Sequence, residues 1–179
     1  KNAFIGGREM FDFVNASHDA LVGGDRDVLA EGIQRSVRIK AAVVEKDEFE
    51  SGARALLNFG HTFAHALERF FGYEGIRHGE AVFWGMACAC DLGRRVGTVA
   101  DGDAAAYDGL LGKLPLPPLP GAADPERVYG AMSSDKKIRE GTLRFVLPAA
   151  PGESIVRDDV PAEMVMQTLR ETLARQPRG

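Results

Sequence analysis

The sequence predicts a mainly α protein, a multi-helix domain with one small β-hairpin near its C-terminus. Three observations carry this expectation. Apolar residues recur at helical spacing through the first two thirds of the chain, and strand-like runs occur only in the last third. No internal repeat divides the sequence, so the helices belong to one packed unit over residues 1–179.

Taken in order, a first helical region covers about Asn2 to Val22, with Phe4, Phe11, Phe13 and Val14 apolar and with Gly6-Gly7 and Gly23-Gly24 as punctuation. Asp27 or a neighbour caps a long helix through Leu29, Ile33, Val37 and Val43 to about Val44. The acidic stretch Glu45 to Glu50 is a connection, followed by a second long helix from Arg54 to Phe71 that stops at Gly72. A third helix starts near His78 and ends at Gly97, and a shorter one spans Ala100 to Leu111. Leu114 to Pro120 is a proline-rich connector, short of the amide donors a helix needs. Asp124 and Pro125 form an N-cap and first-turn proline for a helix to about Met132. Thr142 to Leu147 and Ser154 to Val156 supply the hairpin, and a closing helix follows Pro161 to about Leu173.

Composition excludes several classes. The 22 Lys+Arg against 26 Asp+Glu give a net charge of −4, and basic residues occur singly or in pairs, so a nucleic-acid surface is not expected. No stretch approaches the roughly 20 apolar residues of a membrane span. Cys88 and Cys90 lie two apart in a helix and point to different faces, which suits a reducing cytoplasm. The chain opens Lys1-Asn2-Ala3-Phe4 without an initiator Met, as a piece of something longer would.

The chemistry concentrates in residues 50–80. On a continuous helix, Arg54, Asn58, His61 and His65 are spaced 4, 3 and 4 and share one stripe. A stripe of Arg, amide and imidazoles on a largely apolar helix suggests an anion or metal site; the alternative is a solvent-facing polar stripe. His61 and His65 have the spacing to share one cation, with His78 as a third donor, where a helix N-terminus disfavours the imidazolium. His18 has no companions and is expected on the surface. Lys40 on the preceding helix reads alone as a surface lysine, and the Ser134-Asp135-Lys136-Lys137 loop reads alone as a solvated turn that nevertheless offers cations suited to phosphate. No glycine-rich nucleotide loop is present.

The motif series Lys40-Ala-Ala-Val-Val, Asp47 to Glu50, Gly52-Ala-Arg54, Leu57-Asn58-Phe-Gly-His61-Thr-Phe-Ala-His65-Ala-Leu-Glu68, His78-Gly-Glu-Ala-Val-Phe-Trp-Gly-Met86, Asp135-Lys-Lys and Phe145-Val-Leu-Pro148 resembles the C-terminal, helical domain of 3-dehydroquinate synthases. The resemblance implies a metal- and NAD-dependent lyase of the sugar-phosphate cyclase superfamily. That reaction eliminates phosphate from 3-deoxy-D-arabino-heptulosonate 7-phosphate and closes the ring to 3-dehydroquinate, in aromatic amino acid biosynthesis. His61 and His78 match metal ligands for zinc (or cobalt), and His65 then becomes a substrate or proton-transfer residue rather than a ligand. Glu50 matches a proton-transfer acid. Lys1, Lys40, Arg54, Asn58 and one of Lys136 and Lys137 match substrate contacts.

Departures from the family pattern are equally specific. The third metal ligand, a Glu, aligns three residues before Lys1, and the N-terminal NAD-binding α/β domain is absent from this chain. The resemblance therefore implies half an enzyme, inactive without that domain, cytoplasmic, and homodimeric when whole. The alternatives are another sugar-phosphate cyclase, a non-catalytic helical remnant, and a metal-dependent alcohol dehydrogenase relative, against which the phosphate-binding cations speak.

Overall fold

A computed structural model describes residues 1–47, 52–113, 116–133 and 143–176. The chain begins with a 3-10 turn, Asn2–Phe4, and continues through α1 (Arg8–Ala16), α2 (His18–Gly23) and α3 (Arg26–Lys46). A second 3-10 turn (Ala53–Asn58) leads into α4 (His61–Phe70), α5 (His78–Arg95), α6 (Asp101–Gly112) and α7 (Pro125–Ser133). Strands β1 (Phe145–Ala150) and β2 (Glu153–Arg157) form an antiparallel hairpin before α8 (Ala162–Leu173). The mainly α class and the single small hairpin are as the sequence predicts.

Some boundaries differ from the sequence expectation. The first helical region is not one helix: it breaks at Gly6-Gly7, where Gly7 has φ +84°, and again at Ser17. The cap of α3, expected of Asp27 or a neighbour, is Asp25, its Oδ1 accepting from the amides of Asp27 and Val28 at 3.0 Å each. The expected helix from Arg54 to Phe71 is split at Phe59–Gly60, with consequences for the site given below. His18, expected on the surface, has a side chain only 12% exposed, with Nδ1 held 2.8 Å from Asp19. The Asp124 cap is as expected, its Oδ1 accepting from the Arg127 amide at 2.9 Å. Thr142 and residues 114–115 of the proline-rich connector lie outside the described residues.

Helices α4 and α5 form the centre of the core. Phe63, Ala64 and Leu67 from α4 meet Ala81, Trp84 and Cys88 from α5, all essentially buried. The Trp84 indole N–H would be orphaned there, but it donates to the Pro117 carbonyl at 2.8 Å and so ties the connector to α5. The hairpin packs on α5 through β1, where Pro148 lies against Gly93, and on α4 through Phe145, whose ring is 5.4 Å from that of Phe63; α8 also packs on α5 and buries Val165 and Leu169. The Ser154 hydroxyl donates to the Phe4 carbonyl at 2.7 Å, joining the hairpin to the N-terminal 3-10 turn. Burial pushes the Cys88 thiol up to about 12 and raises Cys90 as well, so both are inert packing residues. No helix among the described residues is long and apolar enough to cross a membrane.

A buried carboxylate joins α5 to α8. Asp91, 8% exposed, accepts from the Thr172 hydroxyl at 2.7 Å, from Arg94 at 2.5 Å and from Arg175 at 2.7 Å. Both guanidinium groups reach solvent, so losing Asp91 strands chiefly the Thr172 hydroxyl, which is fully buried. Asp91→Ala is therefore expected to cost about 2 kcal/mol, less than the 3–5 kcal/mol order of a fully buried ion pair. Thermal denaturation would register this as a fall of roughly 4–8 °C for a domain of this size.

Candidate functional site

A glycine pair places the site. Gly60 sits in the left-handed region at φ +79°, ending the 3-10 turn and starting α4 at His61. A Cβ on Gly60 would stand 2.8 Å from the Met86 amide nitrogen, and one on Gly85 would stand 2.0 Å from the Gly60 carbonyl oxygen. The Phe59–Gly60 corner thus lies directly on the backbone of α5, which no larger residue permits. Phe59, fully buried, anchors the corner by stacking on Phe4 with ring centroids 4.7 Å apart.

This break changes the expected stripe. In a 3-10 turn residues three apart eclipse, so Arg54 stacks over Leu57 rather than over Asn58. The four residues do not form one helical line. Instead, the corner turns both His61 and the 3-10 turn toward α3. A cleft of about 730 Å³ results, lined by Lys1, Lys40, Arg54, Asn58 and His61 at its polar end and by Phe13, Leu29 and Ile33 along its apolar wall.

Lys1 crosses the mouth of this polar end, its Nζ donating to the Leu57 carbonyl at 2.8 Å. Partial burial, and then repulsion from Lys40, lower the Lys1 side-chain pKa. Two cations facing one cleft and repelling each other are a site for an anion. The Arg54 backbone amide donates to Asp47 Oδ2 at 2.9 Å, and that carboxylate also accepts from the Gly52 amide at 2.6 Å. Asp47 thereby pins the start of the 3-10 turn that carries Arg54. Sequence reading did not single it out as a site residue.

Three imidazoles gather beside the cleft. His61 and His78 are the first residues of α4 and α5, and their ring centroids are 5.4 Å apart. His65, one turn along α4, has its ring 5.6 Å from that of His61 and 6.4 Å from that of His78. His61 Nδ1 lies 3.2 Å from the Phe59 carbonyl oxygen, and His78 Nδ1 lies 2.8 Å from Glu68 Oε1. Burial lowers the His61 pKa, the backbone carbonyl opposes that shift, and the neighbouring Lys1, His65 and His78 add to it. A neutral His61 ring is the form a cation needs.

The three-imidazole cation site suggested by spacing is not formed. Among the described residues no three His, Cys, Asp or Glu side chains converge tightly enough to hold a metal ion. The rings of His61 and His65 meet edge to face, at 87°. His61 and His78, on two adjoining helix starts and each with Nδ1 beside an oxygen acceptor, are a donor pair that suits zinc or cobalt completed by a further ligand. Glu50, Lys136 and Lys137 lie outside the described residues. Glu68 stands in the site although sequence reading used it only as part of a motif; the available signal was a carboxylate on the buried side of an apolar helix.

The chain is similar to known proteins along nearly all of its length. Over 174 residues the chain is 42% identical to the 3-dehydroquinate synthase of Saccharophagus degradans, covering 96% of this chain and 48% of that protein. It is 40% identical over 164 residues to that of Nitrosospira multiformis, covering 92% and 45% respectively. The chain thus spans about half the length of these relatives. In structure it is similar to the 2-epi-5-epi-valiolone synthase of Streptomyces hygroscopicus with NAD+ and Zn2+ bound, at TM-score 0.78 and 23% identity over 97% of this chain and 49% of that one. It is also similar to a 2-deoxy-scyllo-inosose synthase complexed with carbaglucose-6-phosphate, NAD+ and Co2+, at TM-score 0.64 and 25% identity over 80% of this chain and 41% of that one. The family model described as 3-dehydroquinate synthase C-terminal matches residues 1–138, the segment that carries the cleft and all three imidazoles, and the chain belongs to that family.

Proposed function

We propose that this chain is the metal- and substrate-binding half of a 3-dehydroquinate synthase. It would act on 3-deoxy-D-arabino-heptulosonate 7-phosphate together with an N-terminal NAD-binding domain, in the cytoplasmic shikimate pathway. The observation that carries the reading is the cleft itself, which brings Lys1, Lys40, Arg54 and Asn58 to one end beside His61. A substrate bearing both a carboxylate and a phosphate needs such a cluster of cations and amide groups.

Each residue has a distinct part. Lys1, Lys40 and Arg54 bind the anionic groups and fix the sugar's orientation in the cleft, and Asn58 hydrogen-bonds a hydroxyl. His61 and His78 hold the divalent cation, which when bound polarises alcohol and ketone oxygens of the substrate. His65, its ring centroid 5.6 and 6.4 Å from theirs, passes a proton through its imidazole. Glu50 and one of Lys136 and Lys137 complete the set, for proton transfer and phosphate binding. The NAD-binding domain has a surface to meet: none of the 21 residues of α3 is buried, and Ile33 and Val37 are 63% and 62% exposed. Homodimerisation is proposed for the assembled enzyme.

Supplying the NAD-binding domain of a relative in trans and following phosphate release tests the reading. NAD-dependent release from the heptulosonate phosphate is expected, with none from sedoheptulose 7-phosphate. Release from sedoheptulose 7-phosphate alone would instead assign another sugar-phosphate cyclase, and a formed complex without turnover would assign a non-catalytic module. In the active complex Lys40→Ala is expected to raise KM about 10- to 100-fold, the worth of one charge-assisted hydrogen bond.

A further inference from the structure

We infer that Glu68 is a positioning residue for the cation site, setting the tautomer and direction of the His78 ring; this rests on the reading of His78 as a metal ligand. Glu68 lies on α4 with a side chain 12% exposed, and its Oε1 is 2.8 Å from His78 Nδ1. Among the described residues the His78 ring is the hydrogen-bond partner of that carboxylate. An ionised carboxylate only accepts, so Nδ1 carries the proton and donates it. In the neutral ring the lone pair is then on Nε2, on the far side from Glu68.

His61 follows the same logic with a different acceptor. Its Nδ1 is 3.2 Å from the Phe59 carbonyl, which also only accepts, leaving Nε2 with the lone pair. The two rings therefore present the same nitrogen, one oriented by backbone and the other by a side chain. The difference matters because His61 is half-buried, whereas the His78 side chain is 60% exposed. Packing does little to hold the His78 ring, so the bond to Glu68 is what fixes it. The negative charge of Glu68 also makes Nε2 a stronger donor to a cation.

A mostly buried carboxylate is costly unless it is satisfied, and it contributes little to helix packing that Met would not. A positioning role accounts for its presence. The test uses the 179-residue chain, 15N-labelled, with the histidine tautomers read by long-range 1H–15N correlation at about pH 8. His61 and His78 are both expected in the Nδ1–H form. Glu68→Met keeps the volume and removes the acceptor: His78 should move toward the Nε2–H form while His61, the internal control, does not change. Glu68→Gln restores an acceptor oxygen and should restore the His78 tautomer.

Co2+ titration of the same samples should show affinity about 10- to 100-fold weaker in Glu68→Met. A His78 tautomer unchanged in Glu68→Met overturns the inference, as does unchanged Co2+ affinity. If Glu68→Met fails to fold, as a changed His61 signal would report, the wild-type spectrum decides: His78 in the Nε2–H form overturns the inference and the Nδ1–H form supports it. Absence of Co2+ binding to the wild type counts against the metal reading, while the tautomers still report on Glu68.

Discussion

Gly85→Ala is expected to destabilise the fold by about 3–4 kcal/mol, through overpacking where the backbone has no room to move. The new Cβ would stand 2.0 Å from the Gly60 carbonyl oxygen, and the opposing atoms are backbone rather than the free end of a side chain. Relief requires α5 to withdraw from the Phe59–Gly60 corner, which opens the packing of Phe59, Phe63 and Trp84. Differential scanning calorimetry should register a fall in Tm of roughly 10 °C. Gly79→Ala on the same helix meets nothing within 4 Å and is the matched control, expected near wild type. Because the corner also starts α4 at His61, a Gly85→Ala chain that still folds should bind metal more weakly.

The second large effect is on the cation. His61→Ala and His78→Ala should each weaken zinc or cobalt binding by about a hundredfold or more, since a few kcal/mol is lost with each ligand. His65→Ala separates the roles: metal affinity is retained while phosphate release in the complemented enzyme falls by about 10²- to 10⁴-fold, the usual contribution of a placed proton-transfer group. Titration calorimetry with zinc and the phosphate assay read the two outcomes independently. Equal loss of metal in all three variants would return His65 to the ligand set and undo the assignment.

Much of the fold was legible because its signals are local. The Asp124-Pro125 helix start, the glycine stops at Gly72 and Gly97, and the apolar spacing of α5 each act within a turn or two. The hairpin was legible as two short β-prone runs around a turn, although β1 starts at Phe145 and outlasts Leu147 by three residues, to Ala150. Asp25 took the cap expected of Asp27 or a neighbour because the αL residue Gly24 ends α2 immediately before it.

The error that mattered was the helix from Arg54 to Phe71. Local propensity continues through Leu56-Leu57-Asn58, and a glycine within a helical pattern is tolerated. What breaks the helix is long-range. Gly60 and Gly85, 25 positions apart, let two backbones touch, and Phe59 is drawn into the core against Phe4. A spacing argument has no access to that contact, so it grouped residues that do lie near one another on the wrong geometry.

Residue identity alone supplied the family resemblance and named His61, His78, His65, Lys40, Arg54 and Asn58 as one constellation. Motif chemistry is written in residue type and order, which the chain carries whether folded or not. Packing supplied the rest. It opened a cleft where the spacing drew a stripe, put His61 and His78 at helix starts with His65 beside them, and brought the Glu68 carboxylate to within 2.8 Å of His78. These depend on where α3, α4 and α5 meet, and that is settled by which backbones can approach and which side chains fill the space between them.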